Sequence, residues 1–307
     1  MRVMAMKGKG MTIQVSAVIP RWFDAALGQT PEHREVEVHG ASISMRCWGR
    51  SDAPGLVLVH GGSAHSGWWD HIAPLLASSH RVVALDLSGH GDSEARSQYP
   101  MSGWADEVVA AASAGGISGR PTVIGHSMGG WVAAAAGAIH GDDIAGLVII
   151  DSPLFDAPPE EDINWQLNRV PRAYTGKDEI CSRFRTEPEQ ESVLPYVFRH
   201  VAGESVRETT DGWVWKFDPE MFRKRRDGGE HVSMRGLLNG VRTPTVFVRC
   251  EQGLVTPDMA LEISALLGVE PTIVELAAAG HHPMMDQPLA LVATLRTVLA
   301  MRSEVVE

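Results

Sequence analysis

The sequence predicts an α/β fold, a mostly parallel central sheet flanked by helices, with an inserted helical lid. Three observations predict it. Short apolar runs alternate with helix-like segments in the first half of the chain. The same alternation resumes after about residue 240, and between the two parts lies a charged, proline-containing stretch with several tryptophans. Because strands that alternate with helices form βαβ units, a parallel sheet with helices on both faces is expected.

The predicted elements follow from the spacing of apolar residues. Residues 35–48 alternate with a period of two, which predicts a strand pair at the sheet edge. Buried strands are predicted where apolar and β-branched residues run together, at 56–60, 81–87, 122–125, 145–150, 244–250 and 272–276. Helices are predicted at 68–76, 101–114, 128–140, 257–267 and 288–301.

The change from alternating strand-like and helix-like segments to a charged, proline-containing stretch predicts the domain organisation. We expect an N-terminal extension over 1–30, a core domain over 31–153 and 241–307, and a lid over 154–240. The N-terminal residues lack the apolar stretch and cleavage site of a secretory signal, and nowhere do about 18 apolar residues run together. The sequence therefore predicts a cytoplasmic protein without a membrane span.

Net charge argues against two classes of binding partner, and cysteine spacing argues against two kinds of structural site. The 307 residues include 27 basic and 38 acidic side chains, a formal net charge of −11. Such a protein repels phosphate backbones and anionic membranes, so neither nucleic acid nor membrane is an expected partner. The short basic run at 223–226 is interpreted as a solvated turn. Cys47, Cys181 and Cys250 lie far apart without CxxC spacing, which argues against a disulfide framework or a zinc site.

A G-x-S-x-G motif at 125–129 contains the candidate nucleophile, Ser127. A β-branched strand precedes the motif and an alanine-rich helix follows it. This arrangement presents a serine at a sharp, strained bend, and Gly125 and Gly129 lack the Cβ atoms that would obstruct the turn. The alternative interpretation is a tight turn with an inert serine.

Together with three other segments, this motif resembles the α/β-hydrolase superfamily. The segments are HGGS at 60–63, DLSGHGDS at 86–93, GHSMGG at 125–130 and Gly280-His281, and they occur in the family's order. The resemblance covers about residues 35–302 apart from the lid. It implies a Ser–His–acid hydrolase that needs no metal or organic cofactor. Serine at the bend argues against haloalkane dehalogenase and epoxide hydrolase chemistry, which need a carboxylate nucleophile.

Thirteen histidines compete for the role of general base. His281 follows Gly280 in a loop between a predicted strand and the last helix, from where an imidazole can reach back over the bend. Its ordinary pKa of about 6.5 suits proton transfer at neutral pH. We expect His281 to be the base, with the adjacent His282 as the alternative, and interpret His126 as a structural neighbour of the serine.

The acid is where the sequence departs from the family pattern, because Gly253 occupies the usual aspartate position. Asp151, at the end of the strand over 145–150, is the favoured substitute. Loops at the carboxyl edge of a parallel sheet converge, so its carboxylate can reach the Nδ1–H of the base. Glu251 is the second candidate and Asp258 a third that suits helix capping better. A dyad without an acid is also left open.

The resemblance further implies two backbone N–H donors for the oxyanion. One belongs to Met128, the residue after the nucleophile, and the other to Gly62 in the glycine-rich loop. Aromatic residues of the predicted lid suggest an apolar cavity, although packing of lid on body explains each one equally well. These residues are Trp165, Tyr174, Phe184, Trp213, Trp215 and Phe217.

The predicted function is that of a serine hydrolase acting on a small molecule, a carboxylic ester or lactone of small or medium size, through an acyl-enzyme. Two alternatives fit the same residues. Related folds hydrolyse a carbon–carbon bond of a ring-cleavage product with the same triad. Other relatives of the fold bind a small ligand without catalysis.

Overall fold

The fold is built on one eight-stranded sheet. The computed structural model describes residues 18–154, 172–190, 192–221, 224 and 234–303. The described strands are β1 Glu32–Val38, β2 Ala41–Trp48, β3 Gly55–Val59, β4 Arg81–Leu85, β5 Thr122–His126, β6 Gly146–Ile150, β7 Val206–Thr209, β8 Gly212–Trp215, β9 Thr245–Gln252 and β10 Thr272–Gly280. All of them except β7 and β8, which form a separate hairpin, belong to this sheet.

The order of strands in the sheet is β1-β2-β4-β3-β5-β6-β9-β10. β2 pairs antiparallel with β1 and with β4, and every other pair of neighbours in this sheet is parallel. The predicted α/β fold with a mostly parallel sheet is therefore confirmed. Parallel order brings the carboxyl ends of β5, β6, β9 and β10 to one edge of the sheet.

Helices cover both faces of the sheet. The described helices are α1 Arg21–Leu27, α2 Ala73–Leu76, α3 Met101–Ala114, α4 Met128–Ile139, α5 Lys177–Cys181, α6 Pro195–Glu204, α7 Met234–Gly240, α8 Pro257–Leu266, α9 Pro283–Asp286 and α10 Pro288–Ser303. Successive side chains of a strand point to opposite faces, so Val57 and Val59 of β3 pack in the core with α3 and α4. Leu56 and Leu58 pack on the other face, in the core that includes α2 and α10.

Two predicted elements differ in the structure. The helix expected over 68–76 is a 3₁₀ turn, Ser66–Trp69, followed by the short α2. Pro74 lies at the start of α2, where its missing N–H is tolerated. A helix that continued through Pro74 from residue 68 would lose a backbone hydrogen bond there. The strand expected over 272–276 continues to Gly280 as β10, with a register shift between Leu276 and Gly280.

Part of the predicted N-terminal extension is packed against the body. Helix α1 lies within it, and Phe23 of α1 is buried. The Phe23 ring lies 5.6 Å from that of His71 and 4.9 Å from that of Tyr196, measured between centroids. Tyr196 belongs to α6, so α1 joins the body to a helix of the predicted lid.

We call the described residues 172–190 and 192–221, between β6 and β9, the insertion. They contain α5, α6 and the antiparallel β7–β8 hairpin. The sequence predicts a helical lid, and the hairpin adds two short strands to the helices of this segment. Trp165 and the basic run at 223–226, apart from Lys224, lie outside the described residues, and Lys224 pairs with Asp218 at 2.7 Å.

In the part of the chain that the structure describes, no helix combines the length and apolar character needed to cross a membrane.

Candidate active site

Ser127 lies at the sharp bend between β5 and α4. Its backbone has φ of 53° and ψ of −120°, a strained conformation for a residue with a side chain. A Cβ at Gly125 would lie 2.1 Å from the carbonyl oxygen of Gly129. A Cβ at Gly129 would lie 2.4 Å from the carbonyl oxygen of His60. The two motif glycines are thus required by the close approach of backbone to backbone.

The hydroxyl of Ser152, which no sequence motif indicates, supports this bend. Ser152 Oγ donates a hydrogen bond of 2.8 Å to the carbonyl oxygen of Ser127. The Ser127 N–H itself donates to the carbonyl oxygen of Ile150, at 3.0 Å. Ser152 carries no motif signal, because its role depends on the pairing of β5 with β6.

The structure brings Ser127, His281 and Asp151 together. His281 Nε2 lies 3.0 Å from Ser127 Oγ, and His281 Nδ1 lies 2.7 Å from Asp151 Oδ2. The three residues follow β5, β6 and β10, whose carboxyl ends meet at the same edge of the sheet. Both the imidazole and the carboxylate are buried. A neutral imidazole with its proton on Nδ1 can donate to Asp151 and accept the Ser127 hydroxyl proton.

The Asp151 carboxylate is held by backbone donors from the end of β9. Its Oδ1 accepts the N–H of Cys250 at 3.2 Å, and its Oδ2 accepts the N–H of Leu254 at 2.8 Å. A Cβ at Gly253 would lie 2.3 Å from Asp151 Oδ2. The carboxylate therefore fills the space that any side chain at position 253 would need, which is the physical reason for glycine at the usual acid position.

The two other acids considered from the sequence lie elsewhere. Glu251 is exposed and its carboxylate accepts the N–H of Ala278 at 2.7 Å. Asp258 is exposed in the first turn of α8, and the cap of that helix is Thr256, whose Oγ1 accepts the N–H of Met259 at 3.2 Å. Asp258 is thus not the helix cap that the sequence suggested.

Two further histidines surround His281. His126 Nε2 donates to the main-chain oxygen of His281 at 2.6 Å. The ring of His282 points to the insertion, where its Nε2 donates to the carbonyl oxygen of Glu187 at 3.1 Å. Burial, assisted by the neighbouring His281, holds the pKa of His126 well below its usual range and lowers the pKa of His282 to about 3. Both rings therefore stay neutral beside His281 at neutral pH.

Among the described residues, these three imidazoles also form a group whose spacing would suit metal ligands. Their ligand nitrogens all lie within 4.8 Å of one another. Both nitrogens of His281 and one nitrogen each of His126 and His282 already have protein partners. An ion here would have to displace the contact with Ser127 or Asp151, so the arrangement suits proton transfer better than metal binding.

The predicted oxyanion donors lie at the start of α4 and in the loop after β3. Met128 is the first residue of α4, where N–H groups have no partner within the helix and the helix dipole favours negative charge. Gly62 is exposed in the loop after β3. Neither N–H has a hydrogen-bond acceptor within the described residues. Both groups are therefore free to bind a substrate oxygen.

His60 connects the loops around this site. Its Nδ1 donates to the carbonyl oxygen of Gly61 at 2.8 Å, and its Nε2 accepts the N–H of Leu87 at 3.1 Å. Burial lowers the pKa of His60 to about 4, so the ring stays neutral and serves both bonds. It ties the loop after β3, which contains Gly62, to the loop after β4.

The predicted lid aromatics that the structure describes take part in ring contacts or in backbone pairing. Phe184 is buried, with its ring 6.1 Å from Trp68 of the body and 6.1 Å from Trp215, measured between centroids. Tyr174 and Trp213 form an isolated antiparallel bridge, and Phe217 forms another with His90. The Phe184 ring contacts match the interpretation of packing within the insertion and against the body, whereas the two bridges are pairings of backbone.

Comparison with known proteins identifies the family. The sequence model of the alpha/beta hydrolase family matches residues 56–295. An esterase of Mycobacterium tuberculosis is 26% identical over 282 residues, which cover 90% of this chain and 91% of that protein. A pimeloyl-[acyl-carrier protein] methyl ester esterase of Aeromonas hydrophila is 34% identical over 252 residues, covering 80% and 95%.

Solved structures agree on the fold. E-2-(acetamidomethylene)succinate hydrolase superposes with a TM-score of 0.75 at 18% identity, over 88% of this chain and 99% of that chain. The family match begins in β3 and ends within α10, so it contains the segments after β5, β6 and β10 that meet at Ser127. The chain therefore belongs to the α/β-hydrolase family, as the sequence predicts, and it is a hydrolase.

Proposed function

We propose that this protein is a serine hydrolase that cleaves a carboxylic ester or lactone of small or medium size through an acyl-enzyme. The observation that carries the proposal is the unbroken series of contacts from Ser127 through His281 to Asp151, at 3.0 and 2.7 Å. In it Ser127 is the nucleophile, His281 the general base and Asp151 the acid.

The first half of the cycle acylates the serine. His281 Nε2 takes the hydroxyl proton as Ser127 Oγ attacks the substrate carbonyl carbon. The N–H groups of Met128 and Gly62 stabilise the oxyanion of the tetrahedral intermediate. The imidazolium then gives its proton to the leaving oxygen, and the carbon–oxygen bond of the ester breaks.

The second half repeats these steps with water. His281 takes a proton from water as the hydroxide attacks the acyl carbon, and Ser127 leaves with the proton that the imidazolium returns. Asp151 acts in both halves by holding the Nδ1–H, which keeps Nε2 free to face Ser127, and by stabilising the imidazolium. No metal or organic cofactor takes part in this cycle.

The proposal extends to the substrate class and the lid. Both sequence relatives described above carry the name esterase, and one is named for a methyl ester, which favours a carboxylic ester. Residues 154–240 act as the lid over a core of 31–153 and 241–307. The insertion supports this role because the carbonyl oxygen of Glu187 and the side chain of Gln190 contact His282, next to the proposed base.

The test combines covalent labelling with a substrate series. We expect a fluorophosphonate to label the wild-type protein stoichiometrically at Ser127 and not to label Ser127→Ala. We also expect hydrolysis of p-nitrophenyl esters that depends on acyl length, or of lactones, with Ser127→Ala as the blank. Folded protein that resists labelling but binds a small ligand tightly would show a non-catalytic relative instead. Turnover of a ring-cleavage product but of no ester would identify carbon–carbon bond hydrolysis.

A further inference from the structure

The peptide group that joins His281 to His282 is held from two sides. Its carbonyl oxygen accepts the Nε2–H of His126, at 2.6 Å. Its N–H donates to Oε1 of Gln190, at 2.9 Å. His126 ends β5 directly before the proposed nucleophile, whereas Gln190 belongs to the insertion. One peptide plane is thus fixed by a side chain of the core and a side chain of the insertion.

Gln190 also occupies the space beside the preceding residue. A Cβ at Gly280 would lie 2.4 Å from the carboxamide carbon of Gln190 and 2.6 Å from its Oε1. The N–H of Gly280 donates to Asp286 Oδ2 at 2.7 Å. The carboxamide therefore packs on the backbone of residues 280–282, which we call the base loop, as well as bonding to it. The glycine before His281 is what allows this approach.

The segment that carries Gln190 makes further contacts of its own. The N–H of Gln190 donates to Thr186 Oγ1 at 3.2 Å, which holds the 186–190 turn. The ring of His282 donates to the carbonyl oxygen of Glu187 at 3.1 Å. This turn and the base loop thus face each other through two hydrogen bonds in addition to the contact at Gly280.

We infer that Gln190 is a positioning residue for His281 and makes the alignment of the base depend on how the insertion is seated. The inference rests on the proposed function. The orientation of the 281–282 peptide sets the direction in which the His281 side chain leaves the backbone. Without the Gln190 acceptor, that N–H is left buried without a partner, and the peptide rotates to find one. The imidazole then spends less time within reach of Ser127 Oγ.

A pair of substitutions isolates the acceptor oxygen. Gln190→Met keeps the length and volume of the side chain and removes the acceptor. Gln190→Glu keeps an acceptor oxygen at the same reach. It breaks no other side-chain hydrogen bond, because the Gln190 amide nitrogen has no acceptor among the described residues. Tyr99→Phe is the control, since it removes a bond of 2.6 Å from the body to Asp218 of the insertion and the acceptor of the Arg96 N–H at 3.0 Å, and leaves the bonds of Gln190 in place.

We expect Gln190→Met to lower kcat and the fluorophosphonate labelling rate of Ser127 by about tenfold to a hundredfold, with KM changed less than about twofold. Gln190→Glu is expected to recover most of this loss. It should also move the acidic limb of the pH–rate profile to higher pH, because it adds a carboxylate to those of Asp151 and Asp286 near His281 and so stabilises the imidazolium. Tyr99→Phe is expected to label at the wild-type rate.

Two results would overturn the inference. One is a Gln190→Met protein, folded by circular dichroism, that labels as fast as wild type. The other is an equal loss in Gln190→Met and Tyr99→Phe, which would indicate only a general loosening of the insertion. Failure of the proposed function looks different, because Ser127 of the wild type would then resist labelling. The ring NMR signals of His281 report the inference independently, and they should shift in Gln190→Met and not in Tyr99→Phe.

Discussion

We call Ser127, His281 and Asp151 together the base site. The base site and the insertion are held in place in different ways. The Asp151 carboxylate accepts three hydrogen bonds, and the His281 ring joins it to the Ser127 hydroxyl. The insertion is attached through separate contacts spread over the body. These include Arg46 with Glu204, His65 with Ser205, and the carbonyl oxygen of Lys216 with the N–H of Gly91.

Because of this difference, we expect the two regions to tolerate substitutions differently. A bond lost around Asp151 moves a reacting atom, whereas a bond lost between insertion and body leaves other contacts in place. The 186–190 turn is the exception, because it belongs to the insertion but contacts the base loop directly. We therefore expect large kinetic effects at the base site, and mainly effects on stability where the insertion is attached elsewhere.

The largest expected effect on kcat is that of replacing the Asp151 carboxylate, and a comparison with Glu251 tests which of the two is the acid. Asp151→Asn should lower kcat by about 10⁴-fold, because the amide no longer holds the imidazole in the tautomer that faces Ser127. Glu251→Gln is the matched control and should stay near wild type, since Glu251 is exposed and bonds to the N–H of Ala278. Steady-state kinetics on both variants provide the check. A crippled Glu251→Gln beside a near-normal Asp151→Asn would reverse the assignment of the acid.

A single methyl group at position 253 should have the next largest effect. Gly253→Ala places a Cβ where the Asp151 carboxylate lies, at 2.3 Å from Oδ2, so the acid must move. We expect kcat to fall by about a hundredfold in protein that still folds by circular dichroism. The matched control is Gly203→Ala in α6, where a Cβ meets no atom within 4 Å. Equal activity of the two variants would contradict the crowding around Asp151.

The buried ring of His71 lies where the body meets α1 and the insertion, and it should make the free energy of unfolding depend on pH. Its Nε2 donates to the carbonyl oxygen of Met284 at 2.7 Å, and burial lowers the pKa of His71 from 6.5 to about 4. The folded ring stays neutral while the unfolded ring takes up a proton, so its contribution to stability is full above pH 6.5 and is lost as the pH falls toward 4.

The size of that loss is measurable by urea unfolding. Between neutral pH and about pH 5, the group should account for about 2 kcal/mol of the decrease in the free energy of unfolding. His71→Gln should remove this share of the pH dependence, while His33→Gln, on an exposed ring, should keep the wild-type slope. An unchanged slope in His71→Gln would mean that this junction opens to solvent in solution.

The smallest expected effect is at the edge of the insertion. Glu204 bonds to Arg46 at 2.9 Å and is about one-third exposed, and Arg46 also pairs with Asp70 at 2.7 Å. Glu204→Gln should therefore cost less than about 1 kcal/mol of unfolding free energy and leave kcat unchanged. A large loss of activity here would show that the insertion moves as one unit with the base loop.

Much of the fold could be predicted because each signal is local. The buried strands β3, β5 and β6 read as short apolar runs, and α3 and α4 as alanine-rich helices. The break at Pro74 is a local signal too, because a proline inside a helical pattern marks a helix boundary. The hairpin β7–β8 could not be predicted, because strands of four residues are too short to show a distinct period. Ser127 and His281 lie in motifs, whereas Ser152 and Gln190 do not, because their roles depend on neighbours distant in sequence.

By itself, the sequence determined the α/β class, the strained serine bend and the histidine that follows Gly280, since each depends on residue type at short spacing. Only the tertiary structure decided between Asp151 and Glu251 as the partner of His281 Nδ1, and only it joined Gln190 to the base loop. The physical reason is that these contacts link strand ends and loops about 90 to 130 residues apart in sequence, and their geometry is set by strand order and packing.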